Sequence, residues 1–116
     1  MNQATPAVAV PAGPALPQCL LTLALPLALQ DEVLDLLREQ HDLVPGFSVV
    51  SGHGMGEYAS LTSMMERVEG RARRVLVYMV MRVDDVPVLV ERLRSCFQSP
   101  EVFYWAVPLL LSGRFV

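Results

Sequence analysis

The chain has 116 residues, 53% of them hydrophobic and 18% charged, with a formal net charge of −3. That length makes one domain with one core, and the acidic balance excludes non-specific nucleic-acid binding, which needs a basic face. So high an apolar fraction exceeds what one small core hides and predicts that part of it is covered by other subunits.

All nine cations are arginine and no lysine occurs, which excludes lysine Schiff-base chemistry and a P-loop lysine. Cys19 and Cys96 sit in apolar segments without CxxC spacing, so they read as buried small hydrophobes in a reduced, cytosolic protein.

Residues 1–17 carry Pro6, Pro11, Pro14 and Pro17 among alanine and valine, the composition of a flexible tail. No basic residue precedes Arg38, so a secretory signal has no n-region. A span from Ala12 to Leu29 would hold Gly13, Pro14, Pro17 and Pro26 without a basic flank, so no membrane insertion is expected and the expected location is the cytoplasm. Gln18 to Leu25, an apolar run closed by Pro26, reads as a buried first strand. Asp31 and Glu32 open a helix at its positive end. Leu29, Val33, Leu36, Leu37 and Gln40 form its inner stripe, and the helix stops before Pro45-Gly46, with His41 solvated in its last turn.

Phe47 to Ser51 reads as a second strand running into a loop that starts with Gly52-His53-Gly54 and extends over 54–69. Loops of more than roughly a dozen residues are uncommon and usually functional or disordered. Within it Leu61, Met64, Met65 and Val68 recur at helical spacing as a packing stripe. Arg71, Arg73 and Arg74 lead into a central strand over Val75 to Val83. Asp84 or Asp85 caps a second helix with Pro87 in its first turn. Val86, Leu89, Val90, Leu93 and Phe97 face inward there, while Glu91, Arg92, Arg94 and Ser95 face water. Val102 to Val107 is the last strand, ended by Pro108, and Leu109-Leu110-Leu111 beyond it needs cover from this subunit or a neighbour.

This order predicts an α+β, ferredoxin-like βαββαβ domain over residues 18–116, a four-stranded antiparallel sheet with two helices on one face. Two features carry candidate chemistry. His53 lies between glycines that leave its imidazole accessible, suited to a transition metal with Glu57 as a second ligand; alternatively Gly52 and Gly54 make a turn and His53 bonds backbone. Arg71 and Arg73 share a face, with Arg74 opposed, and their guanidinium forks suit an anion; alternatively they pair with Glu66 and Glu69. The chain has no Ser-His-Asp order, no acidic pair in a defined cleft, and no lysine or asparagine in the domain, so a non-enzymatic role is expected.

Gly46-Phe47-Ser48-Val49 followed by Gly52-His53-Gly54 resembles the second strand and loop entry of PII signalling proteins. The closer resemblance is to an uncharacterised PII-like family, through Ser51-Gly52-His53, Arg71/Arg73/Arg74 and Tyr104-Trp105. Members of that family tend to be encoded beside heavy-metal efflux systems. The resemblance implies a homotrimer that senses a small effector between subunits through a mobile, T-loop-like segment. Gly52, His53, Gly54, Arg71 and Arg73 would be the effector residues, and a membrane transporter or efflux protein the partner. An adenine nucleotide or a divalent transition metal is the implied ligand; the alternative function is a metal-binding or metal-sensing accessory module. The chain departs from PII between the second helix and fourth strand, where Gln98-Ser99-Pro100-Glu101 offers neither the glycines nor the lysine of the standard ATP loop. Tyr58 matches no modification motif.

Overall fold

The structure, a computed structural model, describes residues 17–54 and 72–116. The elements run β1 (Gln18–Pro26), α1 (Gln30–Glu39), β2 (Ser48–Gly54), β3 (Ala72–Arg82), α2 (Val86–Cys96) and β4 (Phe103–Pro108). A 3-10 turn precedes each helix, over Leu27–Leu29 and Val83–Asp85. The four strands form one antiparallel sheet in the order β2-β3-β1-β4. This is the expected α+β ferredoxin-like architecture.

Side-chain alternation along the central strands assigns the two faces. Cys19, Leu21, Leu23 and Leu25 of β1 stand opposite Met81, Met79, Val77 and Val75 of β3. These eight are buried with Val33, Leu34 and Leu37 of α1 and Leu89 and Leu93 of α2 in one core. The other face of the same strands carries Leu20, Thr22 and Ala24 beside Val80, Tyr78 and Leu76, and no helix among the described residues covers it. There the edge strands add Val50 of β2 and Phe103, Trp105 and Val107 of β4, all exposed. Thr22 and Ala24 are nevertheless buried. Each is a small side chain shaded by larger ones in register, Thr22 by Tyr78 and Trp105, Ala24 by Leu76 and Phe103.

Asp31 and Glu32 fall in the first turn of α1 as expected, but the helix begins at Gln30 and ends at Glu39. Gln40 then closes the end: its N–H donates to the Leu37 carbonyl and its own carbonyl accepts from Leu43 and Val44. His41 is therefore past the helix, exposed in the turn. Asp85 precedes α2 without accepting a side-chain cap bond, because it and Asp84 already belong to a 3-10 turn that continues into the helix. Arg92 does not simply face water; it donates to Gln40 Oε1 and lies 3.5 Å from Asp42 Oδ2, tying α2 to the end of α1.

Cys19 is buried as expected, but Cys96 is exposed. The inner stripe of α2 runs through Leu89 and Leu93, and half-buried Phe97 completes it, leaving position 96 outside. Beyond β4 only Leu109 is partly covered; Leu110 is 97% exposed. Among the described residues no helix is long and apolar enough to cross a membrane.

Candidate functional site

One end of the sheet gathers Gly52, His53, Gly54, Arg73 and Arg74. There β2 finishes, β3 begins, and the chain enters β4. The first correction concerns the Gly-His-Gly stretch, which is strand rather than loop or turn: Gly52, His53 and Gly54 stand opposite Arg74, Arg73 and Ala72 in the β2–β3 ladder. The ladder reaches this far because β3 starts at Ala72, three residues before its apolar run, and offers partners to a stretch with little strand propensity of its own. His53 and Arg73 are thus direct cross-strand neighbours, both exposed, on the same side of the sheet as Val49 and Val77.

Arg74 points to the other side, as alternation requires. It is the one buried charged residue among the described residues, 8% exposed. Its Nη2 donates to the Glu101 carbonyl at 2.7 Å, bridging from β3 to the segment before β4. That acceptor is fixed locally, since Glu101 N–H donates to Ser99 Oγ at 3.1 Å and Val102 N–H to the Ser99 carbonyl at 3.2 Å. The other terminal nitrogen, Nη1, is buried without a hydrogen-bond partner. Burial pushes the Arg74 pKa down and the Glu101 charge pulls it back up; a guanidinium stays protonated through such a shift. The two glycines differ in their work. A Cβ on Gly54 would come within 2.6 Å of Arg74 Cγ, so Gly54 makes room for the arginine stem, whereas a Cβ on Gly52 would meet nothing within 4 Å.

Sequence reasoning named Arg74 beside Arg71 and Arg73 as anion-binding candidates but kept only Arg71 and Arg73 among the effector residues. The available signal was its alternation with Leu76, Tyr78 and Val80, which places it on the second face beside two glycines. Arg71 and Glu57 lie outside the described residues, as do Tyr58, the methionine stripe, and all of the 54–69 segment except Gly54. Among the described residues no group of three or more His, Cys, Asp or Glu side chains is placed to hold a metal ion. His53 is the described member of the expected metal pair.

A second feature had no forecast. A groove of about 340 Å³ opens between the helices and β4, lined mainly by Leu23, Val33, Leu93, Phe97 and Tyr104, with Arg94 and Gln98 among its polar residues. Its volume falls at the lower end of ligand pockets, roughly 300–1,000 Å³.

A family model described as protein of unknown function (DUF3240) matches residues 15–116. The crystal structure of a DUF3240 family protein from Shewanella baltica OS155 is similar, with a TM-score of 0.69 and 19% sequence identity over 85% of this chain and 97% of that one. At that identity the likeness shows the fold alone. No curated protein matches this chain.

Proposed function

We propose that this chain, which belongs to the DUF3240 family of proteins of unknown function, is a PII-like regulatory protein, a non-enzymatic cytoplasmic trimer that senses a small effector where its subunits meet. The observation that carries the reading is the sheet face that no described helix covers. Val50, Val80, Phe103, Trp105 and Val107 are exposed there together, and a contiguous apolar surface of this kind marks an interaction site. A closed cyclic assembly buries the same patch on every copy. Gly52, His53, Gly54 and Arg73 stand at the end of that sheet, so assembly through the face brings them near a subunit boundary. An effector bound there biases the segment that follows Gly54, and with it docking on a transporter or efflux protein, provided the ligand prefers one state of the segment.

The test uses Trp105, the single tryptophan. Sedimentation of the wild-type chain is expected to give a trimer. Trp105→Glu is expected to give a monomer with unchanged far-ultraviolet circular dichroism, since that position contributes little to the core of one subunit. A wild-type monomer across the concentration range overturns the reading. The second reading, a metal-binding accessory module, is favoured by the exposed imidazole of His53. It predicts a thermal shift with Cu, Zn, Co or Ni that disappears in His53→Ala.

A further inference from the structure

Arg74 presents a physical problem that the effector reading leaves untouched. A buried ionised group is stable only when paired and hydrogen-bonded, and an unmade bond on a charged donor is costly. Arg74 has spent one arm of its fork on the Glu101 carbonyl, while Nη1 makes no bond. The carbonyl accepts one hydrogen bond and the Glu101 charge favours the ionised form, but neither gives Nη1 an acceptor. What fits a guanidinium is a planar pair of anionic oxygens or a phosphoryl group, which takes two parallel N–H bonds.

Nη1 is covered in this structure, so an incoming group must uncover it, and the open surface nearest in the ladder lies over Gly52. Gly52 lies directly opposite Arg74 in the ladder, so the two positions share a face, and above Gly52 there is open space. Gly54 lets the arginine stem lie flat against β2, where any Cβ would collide with it. The Ser99–Glu101 bonds hold the carbonyl that fixes Nη2, and fixing one arm sets the direction of the other. The fork is oriented before a ligand arrives, which lowers the cost of binding.

We propose that Arg74 forms an oxyanion site: the phosphoryl or carboxylate group of a small ligand enters over Gly52 and accepts from the free arm of the guanidinium. Arg74, rather than Arg73 on the opposite face, is the anion-recognising residue, and Gly52 is the doorway. This deepens the effector reading by naming the chemistry of the ligand, and rests on it only for its biological meaning; the binding step needs no second subunit.

The full chain is titrated with inorganic phosphate, ATP and succinate, followed by thermal shift and by calorimetry, so that phosphoryl and carboxylate sources are separated. At least one probe is expected to bind. Arg74→Met is expected to weaken that binding at least tenfold. Gly52→Val carries the test even where Arg74→Met fails to fold: valine suits a strand and meets open space, so the variant folds, and its side chain fills the entry and abolishes binding. Absence of any response to the three probes overturns the proposal, as does undiminished binding by folded Arg74→Met or by Gly52→Val. Sedimentation of the same samples separates the two readings. A monomer that binds an oxyanion through Arg74 sinks the trimeric sensor and leaves this site standing. A trimer whose nucleotide response ignores Arg74 and Gly52 does the reverse.

Discussion

The two faces of β1 and β3 are made from alternate residues of the same strands, yet they come to opposite ends. On the helix side Leu21, Leu25, Val75 and Val77 are fully buried among α1 and α2. On the other side Val80 is exposed, and the flanking strands add Val50, Trp105 and Val107. The packed face of these strands is apolar from Cys19 to Leu25 and from Val75 to Met81, whereas Gln18, Thr22, Arg74, Tyr78 and Arg82 interrupt the open one, which still keeps Leu20, Ala24, Leu76 and Val80. The difference lies in what the connections supply. Each crossover helix returns to the same side of the sheet, as right-handed connections require, and no described helix is left for the far side, where the tail contributes the Ser112 hydroxyl bonded to the Gln18 side chain. The contrast separates apolar residues that hold one subunit together from those available for association.

The sharpest way to break that contrast is a matched pair of truncations. Leu21→Ala removes a fully buried side chain from the packed face and is expected to cost about 3 kcal/mol in urea unfolding. Val80→Ala on the bare face is expected to cost less than about 1 kcal/mol at low protein concentration. Equal losses would mean that the bare face is covered after all.

A smaller effect is expected from Cys19, which ends the packed face of β1. Burial raises its thiol pKa above the ordinary value, so the folded chain holds the proton after the unfolded chain has released it. The stability this group contributes is full below the unfolded thiol's pKa, about 8.5. It falls as pH rises from there through the folded value, by at most about 1.4 kcal/mol per pH unit. Urea midpoints between pH 8 and pH 10 should show this fall in the wild type and lose that component in Cys19→Val. Exposed Cys96 has no burial of this kind, and a thiol reagent should label it in the native protein while Cys19 reacts only on unfolding.

The smallest change is expected at the solvent-facing side of α1. Arg38 Nη1 lies 2.8 Å from Asp35 Oδ1 with both side chains largely exposed, and Arg38→Ala should cost under about 0.5 kcal/mol, less still at high salt.

The order and type of the elements were legible because the periodicities were clear: unbroken apolar runs for β1 and β3, and a 3.6-residue stripe with acidic openings for α1. The ends were less legible, for physical reasons. Gly52-His53-Gly54 lacks the side chains that favour a strand, and its extension depends on a partner segment that starts early. Position 96 lost its expected burial because Phe97, the larger neighbour, took the inward place. The candidate site was half visible. His53 and Arg73 meet as cross-strand neighbours, but Arg74 stood out only once its burial, its bond to Glu101 and the missing Cβ of Gly54 appeared together. What brings them together is the pairing of distant segments, β2 against β3 and the entry to β4 against Arg74.

The sheet order has a consequence for how the molecule is made. β1 pairs only with β3 and β4, with Gln18 opposite Arg82 and Cys19 opposite Pro108. A ribosome delivers β1 first, yet its first ladder partner emerges tens of residues later and its second near the end of the described chain. Closing such distant pairs is slow, and an apolar strand waiting with bare edges is prone to stick to its neighbours. The most buried strand in the finished protein is therefore the one that spends longest unprotected during synthesis.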